Sequence, residues 1–586
     1  MSKIFNQSRG NLKQHFIAPE EFERQFAKYN LRDKSLRSSD RYGCAGKGGV
    51  PLSRETGVDA DSAIVAVDDS DVHTLVIGAT ASKKSRLVAM PMVKILEQAK
   101  ESMIIADPKG EIFERTSESL RKNDYNVLAI DLRNPHLGNS WNPLAIPYEL
   151  YVKNGTNDID RACEFVNDIA NNLSNMQVSQ KDPFWENSAA SFFFGLIMLL
   201  FKYAHEQKLE PECVNIRNVL KLRSVLCKNY YVGQSLTSAV KFARSDPFIY
   251  SLLIGTLDTA LTTQAGILST FDQKMRTFAI QPSLLDMLAS NDDIIRGVQD
   301  VPTAVFLIVP DEKTSYHNLV SLFIKQSYEY FIHAFQNSSD SRSKIRINYI
   351  LDEFSSLPTI ADFPAMITAA RSRNIRFTLF VQSKHQLDLR YHEESETIRA
   401  NCNNWIFLVS REISLLEELS ALCGMRRLPN GSIVPLLSVT DLQRLDKEKG
   451  EALVLSGRNK PIITTLPDIK LYDLDKFIKP ERKSQQRDQF DIIFEFPNND
   501  IGVSSYESSH VEYAESLFKE WDYECVPVTK FKSPADENRM DAIIENTTTE
   551  TDVNFDDFFS AIPGVDNPTN ANTIVSEKDD DGNQGN

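Results

Sequence analysis

The nonapeptide GATASKKSR, Gly78 to Arg86, follows the β-branched run VHTLVI and opens a stretch whose pattern predicts a helix ending near Pro91. In a phosphate-binding loop, glycines let backbone amides wrap the phosphates, a lysine neutralises the terminal ones, and the next hydroxyl holds Mg²⁺. Gly78, Lys84 and Ser85 stand where that pattern wants them, with Thr80, Ser82 and Lys83 along the cradle. Two positions depart from it, because Lys83 and Ala81 occupy places where such loops carry glycine. A non-glycine residue held in the left-handed conformation costs about 1–2 kcal/mol. The loop therefore reads either as a working ATP site or as the shape of a retired one.

A second candidate is INYILDEF, an apolar strand ending in Asp352 and Glu353. At the carboxyl end of a central strand, one carboxylate can enter the magnesium shell while its neighbour polarises an attacking water, and Asp352 and Glu353 are assigned these roles in that order. SMIIAD ends in Asp107 and continues as PKGE, which reads as a further carboxylate for the nucleotide on the same edge or as an ordinary polar turn. FTLFVQ ends in Gln382, either a sensor of the terminal phosphate or a simple strand terminator. Arg371, Arg373 and Arg376 form a basic cluster before that strand. One of them could reach a neighbouring subunit's nucleotide as an arginine finger, or touch a phosphate backbone, or lie in a solvated turn. No HExxH or GxSxG is present, so metalloprotease and serine-hydrolase chemistry have no support.

These residues need a sheet to bring them together. Short continuous apolar runs at 72–77, 102–107, 126–131, 303–309, 347–352, 377–382 and 405–410, separated by helix-length segments, predict a mostly parallel α/β sheet covered on both faces. Between 131 and 303 the pattern turns helical, and the almost wholly apolar 186–205 predicts a buried helix inside an all-α insertion. Residues 491–496, 510–521 and 523–531 predict a small strand–helix–strand appendage. The 586 residues carry a net charge of −16, which argues against a generally polycationic nucleic-acid coat. Thirteen acidic and three basic residues in 532–586 account for −10 of it, and this tail is too polar to order itself. Within it FDDFFSAIPGV, Phe555 to Val565, reads as a docking peptide or as chance aromatics. Seven scattered cysteines without a CxxC pair suit a reducing cytosol, and the longest apolar run, Phe192 to Phe201, has half the length of a bilayer span.

In order along the chain, HTLVIGATASKKSR, ADPKGEIFERT, WNPL, DPFWENSAA, LDEFSSLPTIADF and VQSKHQL resemble the type IV secretion coupling proteins, the TraG/TraD-like conjugative DNA-transfer ATPases. The resemblance runs from about Gly46 to Pro480. It implies a RecA-like P-loop motor in two parts, 51–150 and 296–480, around an all-α insertion at 151–295. An N-terminal arm at 1–50, an α/β appendage at 481–532 and a disordered acidic tail at 533–586 complete the expected organisation. It also implies Lys84 and Ser85 as the phosphate-loop pair, Asp352 and Glu353 as the carboxylates, Gln382 as the sensor, and Arg371 or Arg373 as the arginine acting in trans. ATP and Mg²⁺ would be the cofactors. The partners would be relaxase-bound DNA or protein substrates, secretion-channel subunits and further copies of the chain in a ring, a hexamer in the family's usual form. Family members usually carry GATGSGKS in the loop and begin with membrane-spanning helices. Here 71 residues without a span precede the first motor strand, so a cytoplasmic protein attached to the membrane through a separate partner is expected.

Overall fold

A computed structural model of the chain describes residues 19–31, 47–54, 64–153, 155–174, 183–227, 238–310, 316–336, 343–471, 482 and 484–496. The chain divides into two units, Met1–Asn499 and Asp500–Asn586. The expected helix at 510–521, the strand at 523–531 and the acidic tail lie outside the described residues.

The first unit is built on a nine-stranded sheet. Its strands are β4 (His73–Ile77), β5 (Ser102–Asp107), β6 (Asn126–Asp131), β7 (Thr303–Ile308), β8 (Ile347–Leu351), β9 (Ile375–Val381), β10 (Cys402–Phe407), β13 (Glu451–Ser456) and β14 (Ile462–Thr465), in the spatial order β14-β13-β10-β4-β9-β8-β5-β7-β6. Between β10 and β13 the strands β11 (Met425–Arg427) and β12 (Ile433–Pro435) form a separate antiparallel pair. Seven of them, from β10 to β6, run parallel, and β13 and β14 extend the β10 edge antiparallel. The apolar runs are continuous because both faces are covered: Leu75, Ile77, Ile104 and Ala106 enter one core, while Val76, Met103 and Ile105 enter the other.

On the second face lie the helices Met90–Ala99 and Glu111–Lys122 and a small antiparallel sheet in which β1 (Ala27–Asn30) and β2 (Val50–Arg54) flank β3 (Ile64–Asp68). Residues 19–31 of the segment expected to be an arm thus form a short helix and a paired strand. The first face receives the helices of the insertion. Among the described residues from Ala145 to Ala289 every regular element is helical, and Phe184–Glu206 is buried along most of its length by its neighbours. That helix is long and apolar enough to cross a membrane, and here it serves as a core helix. Residues 491–496, expected to be a strand, lie in no regular element and pair with no strand among the described residues. The segment is held by side chains of the insertion in place of a ladder.

Helical structure after the loop continues through Pro91 to Ala99, beyond the expected stop. One wide π-turn, Ser85–Ala89, comes first, so Pro91 falls in the opening turn of the following α-helix, where its missing N–H costs nothing.

Candidate active site

Parallel strands place their carboxyl ends on one edge, and the loops after β4, β8, β9 and β10 meet there. β9 lies between β4, which carries the phosphate-loop candidate, and β8, which carries the acidic pair. Gly78 donates its N–H to Val381 O at 3.1 Å, and Ala79 donates to Val409 O at 2.8 Å, so the loop starts on the tips of its neighbours. A Cβ at Gly78 would meet Ser82 Oγ at 2.5 Å, so a side chain here requires the serine to turn away. Ser82 is buried, and its Oγ has no hydrogen-bond partner among the described residues.

Ala81 and Lys83 both take left-handed backbone, with φ of 62° and 68°. The loop thus keeps a shape that glycine would adopt without strain. Replacing Ala81 with glycine should therefore stabilise the fold by about 0.5–1 kcal/mol, the relief of strain less the extra freedom of an unfolded glycine. A denaturant midpoint that falls would contradict this. Lys83→Gly gains less, because it also removes the exposed pair between Lys83 Nζ and Glu448 Oε2 at 2.7 Å.

Lys84 is buried, and its ammonium donates to Gly78 O at 2.7 Å and lies 3.9 Å from Glu353 Oε1. Burial pulls its pKa down, and the Glu353 and Asp352 carboxylates oppose that pull. Ser85 Oγ donates to Asp352 Oδ2 at 2.7 Å. Asp352 is itself pushed up by burial and held back chiefly by that Ser85 bond. Its other oxygen accepts from Glu353 N at 3.1 Å. Glu353 takes left-handed backbone, φ 53°, which turns the chain sharply after β8. Its Oε2 accepts from Gln382 Nε2 at 2.7 Å, and Gln382 Oε1 accepts from Thr80 Oγ1 at 3.0 Å. One relay, Thr80 to Gln382 to Glu353 to Lys84, therefore links the loop, the middle strand and the acidic strand.

Asp107 and Lys83 come out differently from the sequence reading, and the arginines lie away from the site of their own chain. Asp107 is fully buried beside Asp352, but its carboxylate accepts from Phe113 N at 2.8 Å and so fixes the start of the helix Glu111–Lys122. Burial, with Asp352 nearby, pushes its pKa up to about 7. Lys83 points to Glu448, not along the cradle. Arg371 and Arg373 precede β9 and so lie at the amino edge, about 20 Å from Gln382 by strand rise. There Arg371 Nε donates to Asp71 O at 2.9 Å and Arg373 Nη1 to Ala369 O at 2.8 Å. Within one chain they do not meet the site. Arg376, 2% exposed, is an internal residue and no finger.

No residue pattern marks Glu448, which lies 365 residues from its partner Lys83. Nor did it mark Glu412, whose carboxylate accepts from Lys384 N and His385 N at the start of the helix after Gln382. Glu412 sits a few residues beyond the end of β10, a strand-end position that an edge-by-edge reading could have flagged.

A loop after β4, acids after β8 and an intervening β9 define the chain as a RecA-like P-loop protein. Among solved structures, the trigonal form of the bacterial conjugative coupling protein TrwBdeltaN70 in complex with sulphate aligns with a TM-score of 0.50 at 16% identity, covering 74% of this chain and 96% of that one. TrwB in complex with the non-hydrolysable ATP analogue ADPNP gives 0.47 at 15% identity, with 75% and 95% covered. VirB4 of Thermoanaerobacter pseudethanolicus gives 0.42 at 15%, with 72% and 96% covered. The fold comparison rests on the first of these. Residues 28–430 match the family described as type IV secretory system conjugative DNA transfer, and the chain belongs to that family. No curated protein matches the chain.

Proposed function

We propose that this coupling protein is an ATPase that binds ATP with Mg²⁺ at the carboxyl edge of its sheet and couples hydrolysis to recruiting or moving DNA or protein cargo. The observation that carries the proposal is the contact of Ser85 with Asp352 beside the relay from Glu353 through Gln382 to Thr80. Ser85 Oγ and Asp352 would hold the ion, whose charge, when bound, offsets that of the phosphates. Lys84 exchanges its bond to Gly78 O for the terminal phosphate oxygens. Glu353, held by Gln382, orients a water and accepts its proton, and Gln382 carries the state of the terminal phosphate to the middle strand. Arg371 or Arg373 can serve a nucleotide only in a neighbouring copy, so the working form is a homo-oligomer, with a hexameric ring the simplest closed arrangement. Relaxase-bound DNA, protein substrates and channel subunits are the partners this reading implies, in the cytoplasm and against the membrane through an anchoring partner.

A second reading, a non-hydrolysing adaptor, is favoured by the two side-chain-bearing positions in the loop and by the ammonium of Lys84 already engaged by Gly78 O. Nucleotide binding and turnover by the assembled chain, with and without single- and double-stranded DNA, separates the two. On the ATPase reading, Lys84→Ala lowers turnover by about 10²-fold or more, the loss typical of a preorganised charge at a reacting phosphate. A folded wild-type chain that neither binds nor turns over ATP would establish the adaptor.

A further inference from the structure

Residues 490–496, FDIIFEF, lie beyond the part of the chain that matches the family and run across the insertion in no helix and no sheet. What holds them belongs to the surface beneath. Asn218, fully buried in the helix Ile216–Cys227, donates from Nδ2 to Phe490 O at 2.7 Å and accepts at Oδ1 from Ile492 N at 3.0 Å. Tyr203 OH accepts from Glu495 N at 3.0 Å and donates to Glu495 O at 3.2 Å. Two side chains thus read the backbone at both ends of the segment without regard to its sequence.

Ile492, Phe494 and Phe496 alternate toward the surface beneath, and Asp491 pairs at its rim. Asp491 meets Lys221 Nζ at 2.9 Å and Arg217 Nε at 3.8 Å. Ile492 is buried, whereas Ile493 is 85% exposed. Phe494 and Phe496 each lie 5.1 Å from the Tyr203 ring, and Phe496 lies 5.4 Å from that of Phe242. Main-chain bonds that give affinity, with pockets for alternate side chains that give selectivity, are how proteins bind extended peptides. The upstream part is fastened separately, Arg482 to Asp131 and Arg487 Nε to Ser140 Oγ at 2.7 Å, so residues 490–496 can leave while that anchor stays.

We propose that the surface formed by Tyr203, Arg217, Asn218, Lys221 and Phe242 is a docking groove for an extended segment of a partner protein, and that residues 490–496 fill it as a tethered stand-in. The partner segment carries an acidic residue, an aliphatic one directly after it, and aromatics three and five positions beyond the acid. Charge complementarity to Lys221 selects the acid, with Arg217 paired chiefly to Asp286, and the Tyr203–Phe242 surface selects the aromatics. This proposal does not depend on ATP turnover.

The test uses the full chain and a fluorescent peptide of residues 487–498, read by anisotropy. A tether supplies its segment at an effective concentration on the order of millimolar, so the wild type should bind the added peptide weakly. The variant Asp491→Ala/Phe494→Ala/Phe496→Ala should bind it at least about 10-fold tighter, since its own competitor is weakened. Adding Lys221→Glu to that variant should lose the gain, and a peptide with lysine in place of the aspartate should restore it. Equal binding by the wild type and a folded triple variant, or equal binding of a scrambled peptide, would overturn the proposal. Should the triple variant not fold, hydrogen exchange on the wild type decides. Excess peptide should speed exchange at the Ile492 and Glu495 amides, and no change there would show the segment to be a permanent part of the fold.

Discussion

Glu353→Gln is expected to leave nucleotide affinity within a few-fold of wild type and to cut turnover by about 10²-fold or more, the usual worth of a positioned general base. The reason lies in the geometry. Glu353 is the carboxylate bonded by Gln382 Nε2, whereas Asp352 is taken up by Ser85. Glutamine keeps the size and can still accept from Gln382, but it cannot take a proton from water. The measurement is single-turnover hydrolysis beside equilibrium binding of the same nucleotide. A variant that binds and turns over like wild type would remove Glu353 from the chemistry and shift the base to another group. A variant that fails to bind would instead mean that the charge near Lys84 holds the loop in shape.

The largest stability effect is expected at Arg376, at the opposite end of β9. Its guanidinium donates to Asn348 Oδ1 at 2.6 and 2.9 Å, to Glu101 Oε2 at 3.2 Å, and to Gly48 O and Ser70 O at 3.2 Å each. Glu101, equally enclosed, also accepts from Gly48 N at 2.8 Å and Asn348 Nδ2 at 3.0 Å and pairs with Arg346 at 3.4 Å. Removing one member of such a buried set leaves another charge uncompensated, at a cost of about 3–5 kcal/mol. Arg376→Ala should therefore lose that much in chemical denaturation, and the double variant Arg376→Met/Glu101→Gln should recover part of it. A loss below 1 kcal/mol would mean that Arg346 alone satisfies Glu101.

Much of this fold is legible in the sequence, because strands buried on both faces cannot hide: SMIIAD, TAVFLI and INYIL have no polar alternation to confuse with a helix. Their order in the sheet is not legible, since every parallel neighbour is reached by a crossover whose length leaves several positions open. The site divides in the same way. Lys84, Ser85, Asp352, Glu353 and Gln382 were readable from residue type and strand end, and the structure gathers all five. What one-dimensional reading lacks is direction and distance. Asp107 stands at a strand end like Asp352, yet the next helix takes its carboxylate. Arg371 and Arg373 precede β9 and Arg376 lies in its first residues, whereas Gln382 follows it, and that alone sends the arginines to the far edge.

β9 is buried at all seven positions and joins these two edges. A close-packed strand is nearly incompressible, and β9 is locked in register to β4 on one side and β8 on the other, so the distance between its tips is fixed. The arginine network and the Gln382 amide are in this sense the two ends of a spacer. The Arg376 network, which ties the β9 start to Gly48 and Ser70 beside the small β1–β3 sheet, thereby anchors the strand whose far tip presents the Gln382 amide to Glu353.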